Sequence, residues 1–407
     1  MNILILSQYF WPESFRINEL AQELSEEGEH VTVLTGKPNY PGGVIFPGYK
    51  AKGMQTEIFG GMKIHRVPMF PRGRGGAIRM LANYVSFILA AFFLSPFLLR
   101  KQKIDVIFVF GTSPLIKGLA ALPLKLLRGA KVVVWVQDLW PEDLASTGYI
   151  TNPFLLKINE WPAKWLYYFT DRILIQSESF RVPVNRLVQN KKIFVLPNPA
   201  ERAVFLQQDT CALPEELGFM RDGFNIVFAG NIGNNQSIET LVEAADILKV
   251  KTGFCIVMVG SGSRLEYLNN EIEQRGLINL KAVGRYPSAV MPAIYEQSDA
   301  LLVSLASKDN LSWTVPCKVQ AYMAAGKPII ASINGEAARI VLESGGGLVC
   351  PSEDANALAE RIVEMYEMSS TLRNEMGLKG RAYAERYYHP KKIANELISH
   401  FQSVLKE

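Results

Sequence analysis

Short runs of apolar, β-branched residues alternate with longer stretches of helical period along the whole chain. In the first half such runs at 3–7, 31–35, 64–67, 104–110, 132–136, 173–176 and 193–196 predict strands. A helix is predicted over 15–27, because Ile17, Leu20, Ala21 and Leu24 fall at i, i+3, i+4 and i+7 and Gly28 is placed for its C-cap. The second half repeats the scheme with runs at 226–229, 255–259, 280–283, 300–304, 329–331 and 347–350. Strands separated by helices pair in parallel through crossovers, so the pattern predicts an α/β protein of two doubly wound, Rossmann-like domains. Pro197-Asn198-Pro199 marks a stiff connection between them, giving domains over 1–199 and 200–407, with a last helix near 388–407 able to pack back on the first. Sheets of this kind bind ligands beyond the carboxyl ends of their strands, which directs attention to a cleft. The Gly- and Pro-rich stretch 40–61, followed by Pro71-Arg72-Gly73-Arg74-Gly75-Gly76, reads as loop.

One segment breaks the alternation. Residues 80–99 run without a charge between Arg72, Arg74 and Arg79 on one side and Arg100, Lys101 and Lys103 on the other. The length suffices for a membrane span. Asn83, Ser86, Ser95 and Pro96 interrupt it, and the strand at 104–110 follows at once. A spanning helix, a buried crossover helix and a helix dipping one face into a membrane all remain open.

Charge sharpens this reading. The net charge of +4 divides into +9 over residues 1–199 and −5 over the remainder. A basic first half suits a polyanionic surface, either anionic lipid or nucleic acid. The four cysteines, Cys211, Cys255, Cys317 and Cys350, form no C-x-x-C pair and read as free thiols of a reducing cytosol. Met1 to Leu6 reads as a first strand, not as a signal peptide.

The turn after the first strand, Ser7-Gln8-Tyr9-Phe10-Trp11-Pro12-Glu13, has no glycine, so it cannot bring backbone against a pyrophosphate as dinucleotide oxidoreductases do. Phosphate-binding signals lie in the second half. Gly230-Asn231-Ile232-Gly233 leads toward a helix and offers N–H groups to an anion. Lys318 sits in the first turn of a helix begun by Pro316, where a cation opposes the helix dipole unless an anion lies there. Gly260-Ser261-Gly262, Gly284-Arg285 and Gly335-Glu336 are further turns beside strands or helices. His30, His65, His389 and His400 have no metal-ligand spacing.

These residues carry a resemblance. F-A-G-N-I-G-N-N-Q-S-I-E-T-L-V-E-A-A (228–245), V-P-C-K with Y-M-A-A-G-K-P-I-I-A (315–331) and G-G-G-L-V-C-P (345–351) resemble the C-terminal domain of GT-B glycosyltransferases of family 4. Q-Y-F-W-P-E-S-F-R-I-N-E-L (8–20), L-T-G-K-P-N-Y-P-G-G (34–43) and W-V-Q-D-L-W-P-E (135–142) are similar to the L-fucosamine transferases of bacterial O-antigen and capsule clusters. The resemblance implies a UDP-sugar donor on the C-terminal domain and an acceptor on the N-terminal domain, a saccharide on undecaprenyl diphosphate. It also implies no cofactor and no metal ion, no nucleic-acid partner, and a cytoplasmic protein peripheral on the inner face of the plasma membrane.

On this basis Asn231, Gly233, Arg285, Tyr286, Lys318, Gly335 and Glu336 are the expected donor-binding residues, Tyr286 lying beside the base. Arg72, Arg74, Arg79, Arg100 and Lys101 are expected to face lipid phosphates, with simple snorkelling as the alternative. Asp138 is the first candidate for orienting or deprotonating the acceptor hydroxyl and Glu13 the second. Asp138 has an alternative role in capping the turn at 139–144. The chain departs from the family where Asn231 and Gln236 replace a basic pair, and where Trp313 and Ala321 replace a pair of glutamates. A non-hydrolysing UDP-sugar epimerase of the same architecture is the main rival reading, and a scaffold that only binds UDP-sugar is another.

Overall fold

The computed structural model describes residues 1–73, 76–140, 142, 153–188, 192–206 and 211–407. The chain divides into two compact units, Met1–Pro197 with Pro390–Glu407, and Asn198–His389. The division falls two residues before the end of the Pro-Asn-Pro connection, and the terminal helix Pro390–Lys406 belongs to the first unit. That helix buries Ile393, Leu397, Phe401 and Val404 in the same core as Ile3, Ile5 and Phe108.

In the first unit, β1 (Asn2–Leu6), β2 (His30–Thr35), β3 (Gln55–Phe59), β4 (Met62–Arg66), β5 (Val106–Gly111), β6 (Lys131–Val136), β7 (Arg172–Ile175) and β8 (Ile193–Val195) form one sheet ordered β3-β4-β2-β1-β5-β6-β7-β8. Every pair is parallel except β3 with β4. Strand β3 lies inside the stretch read as loop. Gly60 and Gly61, both at positive φ, supply the two-residue turn of a hairpin whose backbone twist suits its strands. Helices Arg16–Glu26 and Pro390–Lys406 pack against each other in this unit. Ile17, Leu20, Ala21 and Leu24 are all buried, as the helical spacing requires.

The apolar segment forms the helix Ala77–Leu98. Asn83, Phe87, Ala91 and Ser95, four residues apart, are fully buried on one face. Ile78, Leu81, Leu89, Phe93 and Phe97 are exposed on the other. It packs on the 3-10 segment Leu115–Ala121 and the helix Leu122–Arg128. The helix is long and apolar enough to cross a membrane, yet it is docked by one face, so it is not an enclosed crossover helix.

In the second unit, β9 (Phe224–Ala229), β10 (Phe254–Val259), β11 (Leu280–Gly284), β12 (Ala300–Ser304), β13 (Ile329–Ser332) and β14 (Gly347–Cys350) form a wholly parallel sheet ordered β11-β10-β9-β12-β13-β14. Its central strands are buried on both faces, which is why they read as unbroken apolar runs. Strand order reverses between β1 and β5 in the first sheet and between β9 and β12 in the second. Adjacent connections leave such a point in opposite directions, and the gap at the carboxyl ends is the ligand crevice of open α/β sheets.

Candidate functional site

The crevice of the second unit opens where β9 ends at Ala229 and β12 at Ser304. Three neighbouring turns are zipped together there. Gly230 N–H donates to Val259 O at 2.9 Å, Ile232 N–H to Ser261 O at 2.9 Å, and Gly260 N–H to Gly284 O at 2.7 Å. A Cβ on Gly260 would lie 1.8 Å from Gly230 O, and one on Gly262 2.2 Å from Ile232 O. The glycines therefore serve close approach of loop to loop, and the Gly230 and Ile232 amides read as free for an anion are already engaged. A 3-10 turn, Asn234–Gln236, then separates Gly233 from the helix Ile238–Ile247, so the glycine turn does not enter that helix directly.

Lys318 completes this corner. It lies in the first turn of the helix Cys317–Ala325, and its ammonium donates to Gln236 Oε1 and sits 3.7 Å from the centre of the Phe228 ring. A Cβ on Gly230 would come 3.3 Å from Lys318 Cε, so this glycine makes room for the lysine. Among the described residues no carboxylate pairs with Lys318. Burial pushes its pKa down to about 7, since no opposite charge beside it offsets the lost hydration of the cation. A desolvated cation held by a neutral acceptor and a ring face has the chemistry of an anion site.

Beyond β12 a cavity of about 250 Å³ is lined by Ser307, Lys308, Asp309, Ser312, Asn334 and Ser352. Lys308 reaches Asn235 Oδ1 at 2.9 Å, and Ala306 N–H donates to Asn235 O at 3.0 Å, joining this cavity to the turn that holds Gln236. Gly335, at φ 73°, lets the helix Glu336–Ser344 begin against this loop, because a Cβ there would lie 2.0 Å from Ser312 O. Sequence reasoning missed Asn235, Lys308 and Asn334. The polar run after β12, the switch strand, was the signal for Lys308.

The remaining donor candidates are placed differently. Glu336 is buried and spends its carboxylate on Arg339, 2.8 Å away on the next turn, so its side chain is a helix brace and not a free acceptor. Arg285 and Tyr286 follow the edge strand β11, two strands from β9, which is about 10 Å by strand spacing. Arg285 is exposed, and the Tyr286 hydroxyl donates to Glu216 at 3.2 Å. Asn231 is exposed beside Gly233 and Gly262.

In the first unit the corresponding crevice lies beyond β1 and β5. Gln8, fully buried, donates to Asn83 Oδ1 at 2.8 Å, while its own Oε1 has no partner among the described residues. Asp138 follows β6, and its Oδ2 accepts the Ser113 N–H of the loop after β5. That bond ties two strand ends together; the turn at 139–144 proposed as its capping partner lies partly outside the described residues. Lys117, fully buried and unsuspected from sequence, donates to Thr112 Oγ1 and attracts Asp138. Burial pushes Lys117 down to about 7 and raises Asp138, the attraction of the two opposing both shifts. A buried lysine and a buried carboxylate whose pKa values are both perturbed are suited to acid–base chemistry.

Glu13 has another task than the one read for it. It is 2% exposed and accepts N–H bonds from Asn39 at 2.8 Å, Tyr40 at 2.7 Å and Phe10 at 3.3 Å. It fixes the loop after β2 and is not presented to a substrate. Arg79, Arg100 and Lys101 are exposed around the helix Ala77–Leu98. Arg72 instead lies over the Tyr40 ring at 5.2 Å, and Arg74 lies outside the described residues. Among the described residues no three His, Cys, Asp or Glu side chains converge to hold a metal ion.

Residues 14–199 match the family model of the glycosyl transferase 4-like domain, and residues 223–368 match that of glycosyl transferases group 1. The putative colanic acid biosynthesis glycosyl transferase WcaI of Escherichia coli is 25% identical, covering 98% of this chain and 99% of that protein. The probable glycosyltransferase WbjE of Pseudomonas aeruginosa is 26% identical over 74% of this chain and 75% of its own length. HepE of Anabaena, solved in complex with UDP, is similar with a TM-score of 0.68 at 13% identity, covering 99% of this chain and all of that one.

Proposed function

The chain is a glycosyltransferase of the GT-B fold, and on that premise we propose that it moves a hexosamine, N-acetyl-L-fucosamine, from UDP to a saccharide on undecaprenyl diphosphate during surface-polysaccharide assembly. The Lys318 corner carries this reading. An uncompensated cation at the switch point of the second sheet is suited to the diphosphate of a nucleotide sugar. The adjoining polar cavity is suited to the sugar hydroxyls. Departure of UDP places growing negative charge on the diphosphate, and Lys318 stabilises it without a metal ion. Asp138 orients or deprotonates the acceptor hydroxyl, its carboxyl made more basic than an ordinary carboxylate by burial.

The acceptor fixes the location. A lipid-linked saccharide is presented at a membrane surface, and the first unit offers the exposed apolar face of the helix Ala77–Leu98 with Arg79, Arg100 and Lys101 beside it. An apolar face flanked by cations suits the inner face of a plasma membrane, with the protein cytoplasmic and peripheral. The sugar assignment rests on the motifs at 8–20, 34–43 and 135–142.

The test uses purified protein with a panel of UDP-sugars. UDP-N-acetyl-L-fucosamine is expected to raise the melting temperature most. Transfer to a synthetic undecaprenyl-diphosphate saccharide is then followed with chelator present. Epimer formation in the absence of acceptor, or stabilisation by another UDP-sugar alone, overturns the assignment.

A further inference from the structure

The helix Pro153–Phe169 of the first unit buries Ala163, Leu166 and Tyr167 and turns the opposite face outward. Leu166 seats on Gly118 of the 3-10 segment Leu115–Ala121, where a Cβ would lie 2.8 Å from a Leu166 methyl. On the outer face Trp161 is 66% exposed, Trp165 51% and Tyr168 72%. The two indoles stack with centroids 6.4 Å apart and planes at 24°. With Pro162 and Leu119 they line an apolar cleft of about 590 Å³. Three large aromatic rings on one face are a costly display for a surface that meets only water.

We propose that this cleft takes a hydrocarbon chain of a membrane lipid, so that the first unit grips the bilayer at a second point besides the helix Ala77–Leu98. This rests on the membrane reading above. Three observations select lipid as the occupant. The same 3-10 segment carries the helix Pro153–Phe169 and the helix Ala77–Leu98, and exposed Leu126 and Leu127 on the adjoining helix Leu122–Arg128 extend the apolar surface. Residues 77–128, which supply most of that surface, expose Arg79, Arg100, Lys101, Lys103 and Arg128 against the single acid Asp105. Such an excess is complementary to anionic headgroups. Finally, Leu119, Pro162 and the faces of two indoles offer almost nothing to the amides of a peptide or the hydroxyls of a sugar, and an unpaired polar group in such a cleft is penalised. Trp side chains are at home where chains meet headgroups.

The experiment uses the full chain with vesicles of phosphatidylglycerol and phosphatidylcholine brominated on the acyl chains, read by tryptophan fluorescence. Wild-type protein is expected to sediment with the vesicles at low salt and to be quenched. Trp161→Phe/Trp165→Phe, which changes only exposed rings, is expected to lose more than half of the quenching at equal melting temperature. Leu89→Glu/Phe93→Glu is expected to lose sedimentation. If the wild type sediments and the Phe variant is quenched as strongly, the cleft proposal falls and the membrane reading stands. If the wild type does not sediment, both fall. A dimer in solution that Trp161→Ala/Trp165→Ala abolishes makes the cleft a protein interface and overturns the proposal.

Discussion

The ammonium of Lys318 is held by the amide oxygen of Gln236, a neutral partner, while the Phe228 ring covers it at 3.7 Å. Because its pKa is pushed down to about 7, the free protein is only partly charged at this position near neutrality. A diphosphate favours the charged form, so UDP-sugar binding takes up a proton above pH 7. Affinity is expected to fall by up to tenfold per pH unit from 7 to 9, as the cost of protonating the lysine grows. Calorimetry in two buffers of different ionisation enthalpy checks the proton uptake. Lys318→Met should bind weakly and without this pH dependence. An affinity independent of pH in the wild type would remove Lys318 from the diphosphate site.

Gly260 is expected to be intolerant of a side chain. It sits at φ 151° with its α-carbon against the Gly230 carbonyl, and a Cβ would come within 1.8 Å of that oxygen. Backbone has to move, and the turns after β9 and β10 part. Gly260→Ala should cost about 3 kcal/mol of stability and weaken UDP-sugar binding. Gly276→Ala, also at positive φ but with open space around its α-carbon, is the control that should leave binding unchanged. Equal binding by both variants would show that the zipped turns do not shape the site.

The same residues show what a sequence discloses. Strands such as Phe224–Ala229 are enclosed on both faces, and enclosure writes itself as an apolar run. Strand Gln55–Phe59 is an edge strand that alternates half-buried with exposed, so its charged and polar residues look like loop until Gly60-Gly61 is seen as a hairpin turn. Lys318 was legible because a cation in a first helical turn contradicts the dipole. Lys117 was not: a lysine between Ile116 and Gly118 looks solvated, and only the packing of distant segments encloses it. Glu13 was legible as important but not in its role, since its partners Asn39 and Tyr40 lie more than twenty residues away.

Glu13 should make stability fall as pH rises. Burial lifts its pKa to about 7, above the ordinary 4.5, although three backbone N–H groups favour the carboxylate. Below pH 4.5 both folded and unfolded states hold the proton. Between 4.5 and 7 the unfolded chain releases it first, so this group's contribution declines across that window and is flat above it. Glu13→Gln removes the titration and sets an amide N–H against the Phe10 donor, at about 1 kcal/mol. Urea unfolding at pH 5 and pH 7.5 should show a smaller pH difference in the variant than in the wild type. The same difference in both would exclude Glu13 as the titrating group.

Asn83 distinguishes a docked helix from a spanning one, because the two cases demand opposite signs. It is fully buried on the inner face of the helix Ala77–Leu98. Its Oδ1 accepts from Gln8 Nε2 at 2.8 Å and from the Tyr9 hydroxyl at 3.3 Å, and its Nδ2 donates to Phe70 O. Ser86 continues the attachment, donating to Asn83 O and accepting Phe70 N–H, both at 3.0 Å. Asn83→Leu therefore strands the Gln8 amide, the Tyr9 hydroxyl and the Phe70 carbonyl inside the protein. Each loses a partner at a cost of about 1–3 kcal/mol, which predicts a melting temperature lower by roughly 10 °C. For a helix crossing a bilayer the same change removes a polar group from hydrocarbon and is favourable. Thermal unfolding without detergent, compared with the exposed control Ala82→Leu, decides the matter: a melting temperature unchanged or raised in Asn83→Leu would mean that the helix does not dock through this face.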